Sequence, residues 1–192
     1  MINDKKILEA QLRECYGRVI YTHKTHEKCA DILIKNHNRI KNCHIFISSI
    51  ITGGLIVSLF DIDYLSVYQK YGVIIIAILS TISIILETYT KKYDMGKIAQ
   101  EHRQAAADLW LIREEYLSLL VDLKMSIGSI EDIKYKRDIL LKKQHNLYKG
   151  IPSTNYKAYS EARNALKNCE EMTFSDKEID IFLPRELRKE QL

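Results

Sequence analysis

Two histidines, His23 and His26 in the run YTHKTHEKC, are the first residues whose type and spacing suit ligation. On a helix, positions i and i+3 share a face, and Glu27 and Cys29 lie nearby. A metal needs at least two more ligands, which would have to come from another helix. Without Cys or acidic partners at ligand spacing, the pair reads as polar residues in a helical seam, and no metal site is expected. A second set of polar groups sits inside an apolar run, YGVIIIAILSTISIILETYTKKY at 71–93. With about 100° of rotation per residue, Ser80, Ser83, Glu87 and Thr90 fall within about 80° of arc on one helix face. Ser48, Ser49, Thr52 and Gly53 cover a comparable sector of an earlier apolar run. Signatures of common catalysis are missing: the sequence holds no Gly-rich phosphate loop, GxSxG, HExxH or CxxC. Neither an enzyme activity nor a catalytic residue nor a cofactor is expected.

The elements that carry these groups follow from hydropathy. Charged residues make up 28% of the 192 residues and the mean hydropathy is -0.20, so any membrane signal must be local. It lies in Ile45–Phe60 (IFISSIITGGLIVSLF) and in the run from Tyr71, each with sixteen consecutive uncharged residues. Sixteen helical residues span about 24 Å of a hydrocarbon layer about 30 Å thick, so each run is short. The second recovers length by continuing through Glu87 to Thr90. Tyr64, Tyr68, Tyr71, Tyr89 and Tyr93 suit the headgroup level. Two buried helices of a soluble bundle are the alternative, but such helices keep a charged stripe, whereas these runs are apolar all round. Spans at about 45–60 and 71–90 with an outer loop at 61–70 therefore make a hairpin within 44–90.

Lys35, Arg39 and Lys41 precede the first span and Lys91, Lys92 and Lys97 follow the second, while the loop holds Lys70 against Asp61 and Asp63. This bias predicts that both termini are cytoplasmic, in a multi-pass protein of the bacterial inner membrane. No signal peptide is expected ahead of the first span. The net charge of +4, clustered beside the spans, favours contact with anionic membrane lipid over nucleic acid. Cys15, Cys29 and Cys43 are spaced by fourteen, which places them on one heptad stripe. About 21 Å apart along a helix, they cannot share a metal ion.

Outside the hairpin the pattern is helical, and the fold class expected is all-α: a transmembrane hairpin with cytoplasmic extensions, 1–43 and 91–192, forming a coiled-coil-like bundle and together one domain. Ile98, His102, Ala105, Leu109, Ile112, Tyr116, Leu119 and Leu123 form a heptad seam leading directly out of the second span. Leu8, Leu12, Cys15, Val19, Thr22, His26, Cys29, Leu33, Asn36, Ile40 and Cys43 hold the matching register before the first span. Gly128 breaks the helix, which resumes over 130–149; GIPST at 150–154 is a linker, and 155–171 is a further helix. Ser175 and Glu178 form a capping box, Pro184 opens a last turn, and Ile179, Phe182 and Leu183 are expected to dock as an apolar cluster.

The polar membrane face admits two readings. Small residues such as Ser49 and Gly53 allow close helix packing, with hydroxyls bonding between helices. Alternatively several hairpins assemble so that Ser80, Ser83, Glu87, Thr90, Ser48 and Thr52 line a pore, with Glu87 as a carboxylate ring near the cytoplasmic mouth. Glu87 can also snorkel beside Lys91, four residues on. His23, His26, Arg103 and Arg113 are candidates for contact with a signal or partner, and Arg18 and Lys24 add to the basic set. Nothing in their spacing singles out a phosphate site. A membrane-anchored scaffold, docking partners on the seam at Leu109, Ile112 and Tyr116, is the rival to a pore.

YGRVIYTHKTHEKCADIL at 16–33, the charged helix leading into a short hairpin, and TFSDKEIDIFLP at 173–184 resemble the SLATT domain, the bacterial two-transmembrane effector associated with SMODS and SLOG systems, and within it family five. The resemblance implies a homo-oligomeric, pore-forming membrane effector of antiviral defence that causes cell death or dormancy (abortive infection). Its trigger would be an upstream cyclic-oligonucleotide synthase, a reverse-transcriptase partner or a nucleotide second messenger.

Overall fold

Alternating four- and three-residue spacing of apolar side chains keeps one stripe of a helix facing its neighbour, and this chain carries that spacing on both sides of its apolar runs. The computed structural model describes residues 2–58 and 66–189. Among them every regular element is helical: α1 (Ile2–Ser58), α2 (Ser66–Lys92), α3 (Met95–Met125), α4 (Ile130–Gly150), α5 (Tyr156–Lys167), α6 (Asp176–Phe182) and a closing 3-10 turn, Arg185–Leu187. The fold is all-α as expected. Residues 61–65 of the expected outer loop, Tyr64 included, lie outside the described residues, as do the side chains expected at Phe60 and Tyr68. Two compact units result, one of Met1–Lys28 with Gln104–Leu192 and one of Cys29–Arg103.

In the first unit, Leu8, Leu12, Cys15 and Val19 of α1 are buried with Leu109, Ile112, Tyr116, Leu119 and Leu123 of α3 and Ile133 and Leu140 of α4. Each large side chain taken out of water contributes about 1.5–3 kcal/mol. Burial pushes the Tyr116 phenol above its ordinary pKa, so it stays neutral and donates a hydrogen bond to Gln144 Oε1 at 3.4 Å. Leu109, Ile112 and Tyr116 are 0%, 1% and 0% exposed. The seam that the scaffold reading reserved for partners is therefore occupied by the chain's own core.

In the second unit the α1 register continues through buried Cys29 and half-buried Leu33, Asn36 and Ile40, but Cys43 is exposed and His44 takes its place. A strict seven-residue repeat drifts by about 20° per heptad on a straight helix. From Leu8 to Cys43 that accumulates to about one residue, so the three cysteines do not share a stripe. The α3 seam also does not run straight out of α2. Tyr93 and Asp94 leave the helix, and Asp94 Oδ1 accepts the Lys97 N–H at 2.9 Å. An aspartate side chain competes for orphan backbone donors in this way and starts a new helix.

The remaining boundaries have local causes. Gly128 takes a φ of +81°, which glycine adopts without strain, and Ser129 then caps α4 in a box with Asp132. Asn155 caps α5 by accepting from Ala158 N–H. This helix ends at Lys167, short of the expected 171, and buries only Ala158, Ala162 and Ala165. Ser175 and Glu178 form the expected capping box of α6. Of the apolar residues expected to dock, only Leu183 is half-buried, while Ile179 is 41% and Phe182 83% exposed. The inward side chain is Asp180, whose carboxylate accepts the Lys189 N–H at 3.2 Å, so the buried side of α6 is polar.

Leu109→Ala removes a fully buried side chain and is expected to cost about 2–5 kcal/mol. Denaturant unfolding of the detergent-solubilised chain measures it, and an unchanged midpoint contradicts the core assignment.

Candidate functional site

Along the two apolar runs of the second unit, the half-buried positions include Ile47, Ser48, Ile51 and Gly54 on α1 and Ile76, Leu79, Ser80, Ser83, Leu86 and Thr90 on α2. The close approach falls at Gly54, where a Cβ would lie 2.7 Å from Ile76 Cδ1. It does not fall at Ser49 and Gly53, both exposed; a Cβ at Gly53 would meet nothing within 4 Å. Thr52 is exposed too and donates to the Ser48 carbonyl at 2.9 Å. Ser80, Ser83 and Thr90 thus share the half-buried face of α2. Glu87, next to them, is exposed and pairs with Lys91 Nζ at 2.9 Å.

Outside that face the hairpin is apolar and uncovered. Phe46 is 67%, Ile84 65% and Ile85 61% exposed, and Ile45, Leu55, Ile74, Ile75 and Ile78 are each more than half exposed. A soluble bundle would bury these side chains at about 1.5–3 kcal/mol each, and among the described residues nothing covers them. Lipid does so at no cost. Hydroxyls on the exposed side satisfy themselves on their own helix, as Thr81 does on Ala77 O and Thr88 on Ile84 O, which is how a helix carries them in a medium without water. At the end of the run Tyr89 and Tyr93 stack at 5.2 Å beside Lys91 and Lys92, an aromatic and basic collar of the kind found at membrane interfaces.

The first unit holds a second polar arrangement. His23, Lys24 and His26 are buried. Lys24 Nζ lies 2.7 Å from Glu27 Oε2 and 2.7 Å from Glu171 Oε2, and Lys28 reaches Glu171 at 3.2 Å. Burial works against the Lys24 charge, but hydrogen bonds to Glu171 and Glu27 outweigh it and raise its pKa. Bonds from Lys24 and Lys28 hold the Glu171 carboxyl below the usual glutamate value. His23 Nε2 is 3.6 Å from Glu27 Oε1, while its Nδ1 is buried without a partner. Burial pushes the His23 pKa down against the pull of Glu27, and the nearby Arg113 and Lys24 charges push the same way. Glu170 and Met172 take φ of +51° and +75°, a strain of about 1–3 kcal/mol each for non-glycine residues. Lysine contacts on the residue between them hold that turn in place.

Of the sequence candidates, the structure therefore brings His23 and Arg113 together, buries His26, and leaves Arg103 exposed in the other unit. Glu171 was missed because its partners Lys28 and Lys24 lie far back in the chain, Lys28 by 143 residues. The i, i+4 lysines at 24 and 28 were the one available signal.

A model of the SMODS and SLOG-associating 2TM effector domain family 4 matches residues 8–178. The chain belongs to this family. The match spans most of both units, and the SLATT chain is accordingly a membrane effector domain, with α2 and the apolar end of α1 as two helices long and apolar enough to cross a membrane. The matching model is that of family 4, where the resemblance in the sequence pointed to family five; both are SLATT domains. No curated protein and no solved structure matches the chain.

Gly54→Ala in the SLATT chain is expected to be tolerated, since the Ile76 δ-methyl can turn aside. Gly54→Leu is expected to overpack the hairpin by about 1–3 kcal/mol, read as a lower melting temperature in detergent. The ion pairs of Glu171 give a pH signature. A lowered carboxyl pKa stabilises above the ordinary value of 4.5 and loses that contribution as pH falls through the folded value; the raised Lys24 stabilises below 10.5 and loses its contribution above it. Glu171→Gln should therefore lower stability at pH 7 by up to about 1 kcal/mol, since the group is partly exposed. It should also weaken the acid dependence of the melting temperature below pH 4.5.

Proposed function

We propose that this SLATT chain is an antiphage-type effector that oligomerises in the bacterial inner membrane and forms or gates a pore. Opening disrupts the membrane and brings cell death or dormancy when an upstream nucleotide signal or sensor is triggered. Both termini are cytoplasmic in this reading, following the lysine and arginine bias of the flanks. The partner is a cyclic-oligonucleotide synthase or a reverse-transcriptase defence module.

Glu87 carries the reading. Its carboxylate is exposed beside Lys91, at the inner end of the face that holds Ser80, Ser83 and Thr90, on a hairpin whose other exposed polar groups are uncharged hydroxyls. A carboxylate facing lipid is costly, and two helices cannot enclose water. Assembly of several copies gives Glu87 an aqueous lumen and gives exposed Ser49 and Gly53 a second helix to pack on. A signal that binds the open assembly more tightly than the closed one then shifts the population.

A docking role without conductance has support of its own in the tail, where Phe174 is 70%, Ile181 72% and Phe182 83% exposed. Oligomeric state in detergent separates the two: a ring of four or more copies favours the pore, a monomer or dimer the scaffold.

Reconstituted into anionic liposomes, the activated chain is expected to release small ions. Glu87→Gln is expected to shift the cation-to-anion permeability ratio towards anions. Bilayers that stay non-conducting at every protein density overturn the pore.

A further inference from the structure

His23 lies on α1 in the first unit with its side chain only 8% exposed. Its Nε2 is 3.6 Å from Glu27 Oε1, beyond good hydrogen-bond distance, and its Nδ1 is sealed from solvent without a partner among the described residues. A neutral imidazole tolerates this, with its proton on Nε2 towards Glu27 and only a lone pair on Nδ1. A protonated ring does not, because its Nδ1–H is then a buried donor with no acceptor.

The charged groups around it come from three elements. α1 supplies Lys24, Glu27 and Lys28, α3 supplies Arg113 and its partner Glu114, and the turn after α5 supplies Glu171. All three acids are already engaged: Lys24 Nζ holds Glu27 and Glu171 at 2.7 Å each, and Arg113 holds Glu114 at 2.6 Å. A charged His23 therefore competes with Lys24 for Glu27 and repels both Lys24 and Arg113. Burial pushes the ring's pKa below the ordinary 6.5, Glu27 pulls against it, and Arg113 and Lys24 push the same way as burial.

The same two cations hold a strained turn. Glu170 and Met172 keep left-handed backbone, φ +51° and +75°, which costs energy in non-glycine residues. Between them Glu171 is gripped by Lys24 and Lys28, and Arg113 Nη1 lies 4.0 Å from Met172 Sδ. Displacing Lys24 and Arg113 lets that strain relax. Beyond the turn follows the tail with exposed Phe174, Ile181 and Phe182.

We propose that His23 is an acid-operated latch: protonation of its ring unseats Lys24 and Arg113, opens the turn at 169–172 and loosens the tail that follows. The latch goes beyond the effector reading and does not rest on it, since a chain that never conducts can still carry it.

Its direction follows from linkage. The opened turn takes up a proton at the ordinary value of 6.5 and the closed turn only at lower pH, so closure is fully supported above 6.5 and is lost as pH falls below it. One proton makes the opening constant rise by up to about 10-fold per pH unit in that window. Glu171 discharges only below 4.5, so its effect is separate. Burial lowers the His102 pKa too, but His102 belongs to the second unit and serves as a control.

Hydrogen exchange of the full chain in detergent micelles, corrected for the intrinsic pH dependence of exchange, reads the opening. The reporting amides are Cys169, Glu171 and Thr173, bonded to the carbonyls of Asn164, Ala165 and Glu170. From pH 7.5 to 5.5 their opening is expected to rise by about 5- to 10-fold in the parent chain and in His102→Gln, and by less than about 2-fold in His23→Gln. An unchanged parent overturns the latch, as does His23→Gln keeping the parent's rise. A rise of equal size throughout α3 and α4 also overturns it, because the whole unit is then opening. Should His23→Gln fail to fold, an NMR titration of the His23 ring in the parent chain decides: a midpoint below 6.5 beside the local rise supports the latch, and one at or above 6.5 overturns it.

Discussion

The first unit depends on one strip of contact, in which Leu12, Cys15 and Val19 of α1 are buried with Leu109, Ile112 and Tyr116 of α3. α4 adds Ile133 and Leu140 to the same core, and α5 contributes a face of three alanines small enough to lie close. Tyr116 has a double part in this strip. Its ring fills the core, and its neutral hydroxyl starts the chain of hydrogen bonds that passes through Gln144 and Tyr148 to the surface. Core packing thereby sets the positions of the polar groups between α1 and α4.

The same 4-3 periodicity meets a different solvent in the second unit. There the two helices bury little against each other beyond Gly54 on Ile76, and isoleucines radiate in the remaining directions. Such a surface is favourable in hydrocarbon, where the backbone is satisfied within each helix and hydroxyls bond back one turn. Asp94 separates the two regimes along the sequence. It ends α2 just after the tyrosine and lysine collar and caps the helix that carries the α3 seam.

Charge enters the core of the first unit only where it is matched. Lys24 is buried because Glu27 and Glu171 meet it at 2.7 Å, and a buried cation without such partners would be strongly destabilising. That pairing also determines the path of the chain after α5, since Glu171 sits in a turn whose flanking residues adopt left-handed backbone. The tail beyond it turns Asp180 inwards and leaves Phe182 outside.

Periodicity and local spacing were sufficient to read the helical class, the two apolar runs, the α3 seam and the capping box of α6, because each is decided by residues within a few turns of one another. Membership of the SLATT family was legible for the same reason, in runs such as YTHKTHEKC and TFSDKEIDIF. Several features required the folded chain. The loss of Cys43 from the seam accumulates from a drift of about 20° per heptad that no local window reveals. The shift of the helix contact from Gly53 to Gly54, the lysine pairing of Glu171 and the hydrogen-bond chain from Tyr116 through Gln144 and Tyr148 to Thr22 all depend on residues brought together from distant positions. Local sequence determined what each helix is, while only tertiary packing decided which of its faces meets protein and which is left open, because side-chain contacts across long sequence separations exist only once the helices have packed.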